Sequence, residues 1–348
     1  MPAERIDITR FLELSASVPV LDVRSPGEFN HAHIPGAISF PLFSDEERKV
    51  VGTAYKQQSR EEAIKVGLDY FGPTMKQRVL DAERIAGGGK TLLVHCWRGG
   101  MRSGAIAWLL DLYGFKVFTL AGGYKAYRNW VLSIFKKSFR FNILGGYTGS
   151  GKTELLQSLS GANEPLVDLE TVASHKGSAF GSIGMPKQPG QEQFENILAT
   201  KLAPYINNSE EDKRIWLEDE SQRIGLVNIP NDLWNTMRSS PVYFMDIPFE
   251  KRLDHVTEEY GVLDREALIA ATERITKKLG HLQAGQAVGF LQEGNIRAAF
   301  EILLRYYDKL YEKSLHNREG LRFLLHRITA EETGAKSREV LLNFINKQ

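Results

Sequence analysis

At 348 residues the chain has room for two domains of ordinary size, and a 42% hydrophobic, 25% charged composition excludes disordered and fibrous classes. A net charge of +1 leaves a nucleic-acid partner open, because local patches set the field an RNA meets, and the single cysteine excludes an internal disulfide framework or a multi-cysteine metal site. The opening MPAERIDITRFLELSASVPV lacks a basic-then-apolar leader pattern, and no apolar run approaches the ~20 residues of a membrane span, so the expectation is a cytoplasmic protein with no membrane partner.

In chain order, Val18–Val23 reads as a short buried strand, followed by a turn at Arg24–Glu28 and the stretch HAHIPGAISFPL. A second apolar strand, Thr91–His95, ends directly at Cys96. Then come Trp97, Arg98, Gly99, Gly100, Met101 and Arg102, a helix over Ser103–Tyr113 with Ile106, Leu109 and Leu110 at helical spacing, and a strand at Val117–Leu120. A cysteine beside an apolar strand is most often an inert buried hydrophobe. Between a strand end and a helix start, loop N–H groups and the positive helix end favour an anion, and the charges of Arg98 and Arg102 would add to that.

LDVRSPGEFNHAHIPGAISFPL together with HCWRGGMRSG resembles the rhodanese fold. The resemblance implies that Cys96 is the chalcogen-carrying nucleophile and that the loop Trp97–Arg102 is its anion cradle. Asp22, Arg24, Glu28 and His33 match the framework of that fold and are read as structural.

Lys136–Arg140 is a short basic stretch before a new apolar strand, Phe141–Leu144, so the domain boundary is placed at 137/138, giving domains 1–137 and 138–348. The strand runs into Gly146-Tyr147-Thr148-Gly149-Ser150-Gly151-Lys152-Thr153, a match to G-x-x-x-x-G-K-[ST] at every fixed position, and Glu154–Leu159 continues as a helix. The glycines let N–H groups turn inward around phosphate oxygens, Lys152 adds a point charge, and the Thr153 hydroxyl is placed to ligate magnesium. A phosphate or diphosphate is expected here. The fold class is therefore α/β throughout: a rhodanese-like α/β domain, then a P-loop NTPase-like α/β domain.

Acidic residues at neighbouring strand ends usually complete a magnesium shell in such domains. Asp168 with Glu170, and the run Glu218-Asp219-Glu220, are the candidates, with Asp219 preferred; either set can equally be solvated helix-start carboxylates. No guanine-type N/T-K-x-D signature follows the loop. Ser174–Gln191, rich in Gly, Pro and Gln, reads as a long irregular segment and a candidate lid. Near the end, Ile296, Ala299, Phe300, Leu303, Leu304, Tyr307 and Leu310 form a helical stripe that reads as core. Arg297, Arg305, Lys309 and Lys313 lie off that face and, with Arg274, Lys277 and Lys278, offer a surface to RNA.

The Cys loop followed by this P-loop, with DLETVASHKGSAFG, WLEDESQRIG and LLRYYDKLY in that order, is similar over nearly the whole chain to the tRNA 2-selenouridine synthase family. The resemblance implies a transferase acting on tRNA bearing 2-thiouridine at the wobble position. It implies S-geranylation with geranyl diphosphate, then replacement of the geranylthio group by selenium from selenophosphate, with a selenophosphate-producing enzyme as a partner. An ATP-dependent rhodanese-type sulfurtransferase or kinase, and a non-catalytic tRNA-binding module, are the alternatives from other classes.

Overall fold

The computed structural model describes residues 3–162, 164–206 and 214–347, and the chain divides into two compact units, Met1–Ile134 and Phe135–Gln348. In the first unit, β1 (Glu4–Ile6), β2 (Val20–Asp22), β3 (Ile38–Ser39), β4 (Thr91–His95) and β5 (Lys116–Leu120) form an all-parallel sheet of order β1-β5-β4-β2-β3. Parallel strands covered by helices on both faces read as continuous apolar runs. Leu92, Leu93 and Val94 are such a run, each fully buried, and truncating either leucine to alanine would cost about 2–5 kcal/mol. The helix Met101–Tyr113 packs Ile106, Ala107 and Leu110 onto β4 and β5 and ends at Gly114 in the left-handed conformation. Strand, loop, helix and strand follow in the order expected from the sequence.

The second unit is built on a parallel sheet with strands β6 (Phe141–Gly146), β7 (Ile215–Glu218), β10 (Val242–Asp246) and β11 (Leu325–Thr329) in the order β11-β10-β6-β7. A small antiparallel ribbon, β8 (Arg223–Ile224) with β9 (Val227–Asn228), lies apart from it. From β6 the chain crosses to β7 on one side and later to β10 on the other, so the order reverses around β6. Ligands in open α/β sheets bind outside the carboxyl ends of strands at such a point.

The helices Phe249–Gly261, Arg265–Arg274, His281–Gln292 and Ile296–His316 close over a separate core of Leu253, Val256, Leu268, Ala271, Leu303 and Leu304. The stripe on Ile296–His316 is core in its first turns, where Ala299, Phe300, Leu303 and Leu304 are buried. Further along, Tyr307 still packs against that core and also lines a cavity with Leu310, as do Tyr306 and Tyr311 beside the stripe. Among the described residues no helix is long and apolar enough to cross a membrane.

Candidate active sites

In the first unit, the turn after β4 wraps the Cys96 sulfur. The Gly100 N–H donates to Sγ at 3.4 Å and the Ser103 hydroxyl lies 3.3 Å from it. Burial alone would raise the thiol pKa, but the Ser103 hydroxyl and the N–H groups of Gly100, Ser103 and Arg98 outweigh it and bring the pKa below the ordinary thiol value. Ser103, in the first turn of the following helix, escaped the sequence reading.

The two arginines of the loop have different surroundings. Arg102 turns to Glu28, with its Nη1 2.5 Å from Oε2, and Arg98 is exposed. Burial would raise the Glu28 carboxyl, but Arg102, the Ser25 N–H and Arg48 hold it at about 2. The largest contributions favouring a thiolate here are oriented N–H and O–H dipoles. Trp97 is 38% exposed beside the loop, and Met101 opens the helix with its side chain 48% exposed.

The loop is braced from behind by Ala121–Tyr124. The Cys96 carbonyl accepts from the Tyr124 N–H at 2.8 Å and the Trp97 carbonyl from the Lys125 N–H at 3.0 Å. Gly123 has φ +61°, and a Cβ on it would overlap the Cys96 carbonyl and the Gly99 N, so only glycine permits this approach. The framework reading of Asp22 and Arg24 holds: they form a buried pair at 2.5 Å, and Arg24 also donates to the Ala32 carbonyl and lies 3.8 Å over the Tyr124 ring. His33 Nδ1 is 3.0 Å from the Phe29 carbonyl, again a structural contact.

In the second unit, Gly146 closes β6 and the helix Lys152–Ser160 begins at the end of the loop. Lys152 Nζ donates to the Gly146 carbonyl at 3.0 Å, and the Thr153 hydroxyl donates to Glu170 Oε2 at 2.7 Å. Gly149, at φ +81°, packs so closely on Arg252 and Val256 that a Cβ would lie 2.6 Å from Val256 Cγ2. Thr148, Gly149, Gly151, Lys152 and Thr153 face a cavity of about 770 Å³. The rest of the lining is mixed: Tyr260, Ile275, Tyr306, Tyr307 and Leu310 give it aromatic and aliphatic surface, and Lys176, His255, Glu259 and Lys278 give it polar and charged surface.

Asp219 lies at the expected strand end and lines the cavity, but its oxygens are already committed. Oδ1 accepts from Arg318 Nη2 and Oδ2 from the Tyr311 hydroxyl, both at 2.7 Å. The carboxylates grouped with Lys152 and Thr153 are Glu170 and Glu220, which share a hydrogen bond with each other. Burial first, and then repulsion by neighbouring acids, raise both pKa values. Behind them Glu218 is fully buried, accepts the Leu169 N–H at 3.0 Å and is pushed well up by the same causes. Among the described residues no group of three or more His, Cys, Asp or Glu is arranged to hold a metal ion by itself.

The 174–190 segment is irregular, as its composition suggests, but it is anchored. Phe180 is 2% exposed in the helical core, Lys176 pairs with Glu259, the Ala179 N–H donates to the Tyr307 hydroxyl, and Gln188 bonds the Ile224 carbonyl. Its residues Lys176, Gly177, Ser178, Ala179 and Met185 line the cavity. The basic residues also divide: Arg297 is tied to Glu250 and Asp254, Arg305 to Glu301, and Arg274 to the Ala179 carbonyl. Lys277, Lys309 and Lys313 are exposed.

Comparison with known proteins adds to this geometry. A rhodanese-like domain family model matches residues 8–129, and the model of the tRNA 2-selenouridine synthase AAA domain matches residues 139–333, more than half of the chain. The chain belongs to the tRNA 2-selenouridine synthase family. The tRNA 2-selenouridine synthase of Bdellovibrio bacteriovorus is 34% identical over 345 residues, covering 87% of this chain and 90% of that one. Its counterpart in Shewanella denitrificans is 33% identical over 334 residues, covering 86% and 89%. For the Nitrosomonas europaea tRNA 2-selenouridine synthase the identity is 38% over 251 residues, or 70% of this chain and 64% of that protein. Membership of this family makes the protein an enzyme, a transferase, with a rhodanese-like unit followed by a P-loop-type α/β unit.

Proposed function

We propose that the protein converts 2-thiouridine at the wobble position of tRNA to 2-selenouridine in two chemically separate steps. The observation that carries this reading is the cavity of the second unit, in which Thr148, Gly149, Gly151, Lys152 and Thr153 of the glycine-rich loop meet the aromatic and aliphatic side chains of Tyr260, Ile275, Tyr306, Tyr307 and Leu310. A ligand with a diphosphate head and a short hydrocarbon tail, such as geranyl diphosphate, matches both surfaces.

In the first step the thiouridine sulfur attacks C1 of the geranyl chain, the C1–O bond breaks, diphosphate leaves, and the nucleobase loses its N3 proton. Loop N–H groups and the Lys152 ammonium, which lines the cavity, would hold the charge that grows on the leaving oxygens. The hard oxygens of Thr153, Glu170 and Glu220 suit magnesium. They supply only part of a shell, as befits an ion that keeps its own waters and shares substrate phosphate oxygens, and two mutually repelling carboxylates would be relieved by it. When bound, magnesium would neutralise the charge of the diphosphate.

Alkylation turns the thiocarbonyl into a carbon that carries a thiolate leaving group. A selenium nucleophile derived from selenophosphate then adds at C2 and geranylthiol departs. Cys96, ionised more readily than an ordinary thiol and cradled by N–H donors, is the group we assign to releasing that selenium: its thiolate attacks phosphorus, the P–Se bond breaks, selenide leaves for C2, and water then hydrolyses the S–P bond. The lysines Lys309 and Lys313, one turn apart beside the cavity-lining Leu310 and Ser314, would meet tRNA phosphates at the mouth of the cavity. A cytoplasmic setting, where tRNA and a selenophosphate-producing partner are found, goes with this reading.

The test is mass spectrometry of nucleosides from thiolated tRNA incubated with the protein, geranyl diphosphate and selenophosphate, each omitted in turn. S-geranyl-2-thiouridine without selenophosphate, and 2-selenouridine only with both, is the expected pattern. Selenation with geranyl diphosphate absent, or a requirement for ATP in its place, would contradict it.

A further inference from the structure

The phosphate-binding loop is not held by its own strand and helix alone. Three consecutive residues are tied to the helix Ile296–His316. The Gly146 N–H donates to the Tyr311 hydroxyl at 3.3 Å, across 165 positions of sequence, and the Tyr147 hydroxyl donates to Glu312 Oε1 at 2.5 Å. The Thr148 carbonyl accepts from Arg252 Nη1 at 3.0 Å, and Arg252 is clamped in two bonds by Asp308 at 2.9 and 2.8 Å. Asp308, Tyr311 and Glu312 stand at i, i+3 and i+4, so one helix face carries all three ties.

Of the three, the tie through Tyr311 reaches furthest into the site. Its hydroxyl gives its proton to Asp219 Oδ2, which leaves an oxygen lone pair for the Gly146 N–H. Asp219 is itself fixed by the buried Arg318. On the other side of the same residue, the Gly146 carbonyl accepts from Lys152. Gly146 is thus gripped at its N–H by Tyr311 and at its carbonyl by the ammonium that faces the cavity. With its N–H satisfied by Tyr311 and its carbonyl by Lys152, Gly146 is held at both backbone groups, and this fixes the starting orientation of the donors that follow.

We propose that Tyr311 is a positioning residue for the diphosphate site: its hydroxyl, held by Asp219 and Arg318, aligns the first turn of the loop and, through Gly146, the Lys152 ammonium. This rests on the reading that the loop binds a diphosphate.

The experiment is titration calorimetry of the full-length protein with inorganic diphosphate, a probe that needs only the loop, alongside thermal melts. Tyr311→Phe keeps the ring that lines the cavity and removes only the hydroxyl. It should weaken diphosphate binding about tenfold, the worth of one aligned hydrogen bond, and lower kcat for geranyl transfer by at least as much. Asp219→Asn, which retains an oxygen acceptor for Tyr311 or Arg318, should shift both quantities in the same direction by less, and it carries the test if the phenylalanine variant does not fold. A lowered melting temperature with diphosphate affinity unchanged in both variants would reduce Tyr311 to a purely structural role and overturn the proposal. No diphosphate binding by the wild-type protein would instead overturn the functional reading beneath it.

Discussion

The loops after β4 and β6 occupy equivalent places, each at the carboxyl end of a parallel strand and the start of a helix, yet they are built on opposite plans. The Cys96 loop is braced by backbone, with the Gly122–Gly123 turn packed behind it, and Ser103 and N–H groups surround the sulfur. The guanidinium of Arg102 is spent on Glu28. The Gly146–Thr153 loop is braced by side chains from far along the sequence and carries a formal charge, Lys152, bonded back to its first residue. A small soft anion such as a thiolate needs only converging dipoles, whereas a departing diphosphate concentrates several charges and calls for a cation.

Removing the cation from each loop breaks the comparison most sharply. Lys152→Ala should slow geranyl transfer by about 10²–10³-fold, the usual loss when a donor to developing negative charge is deleted. Arg102→Ala should leave the selenium step within about threefold of wild type, because that side chain is turned to Glu28. Steady-state rates for the two half-reactions check both. Equal losses in the two variants would mean that both loops depend on side-chain charge after all.

A smaller effect is expected at Ser103. Its hydroxyl favours the thiolate, so Ser103→Ala should raise the Cys96 pKa, and the pH profile of alkylation by iodoacetamide should move to higher pH. An unmoved profile would return the stabilisation to the arginines.

What the sequence revealed follows from how local each feature is. G-x-x-x-x-G-K-T packs its whole mechanism into eight residues between a strand and a helix, and β4, ending at Cys96, was visible as an apolar run. Tyr311, Glu312 and Asp308 look like any polar edge of an amphipathic helix until the fold brings them to the loop. Asp219 stands at the expected strand end, but what its oxygens do is decided by Arg318, 99 positions away. Ser103 was within reach: a hydroxyl in the first turn after a cysteine loop is placed to bond the sulfur. The irregular 174–190 segment was recognised by composition, while its anchoring through Phe180 depends on helices that composition does not mention.

The smallest expected effects concern tRNA. Lys309→Glu and Lys313→Glu should each flatten the dependence of log affinity on log salt by roughly 0.7–0.9 units for cognate and non-cognate tRNA alike. Arg297→Glu should change the slope less, since Glu250 and Asp254 already hold that guanidinium. Equal slopes for all three would make the lysines part of an ordinary solvated face.

The central claim is that two loops in two units perform two separable steps, and nucleoside mass spectrometry of thiolated tRNA treated with Cys96→Ser tests it most directly. Serine keeps the loop but cannot ionise near neutral pH, so the variant, given geranyl diphosphate and selenophosphate, should form S-geranyl-2-thiouridine at the wild-type rate and stop there. Substantial 2-selenouridine from this variant, or failure to geranylate at all, would contradict the account.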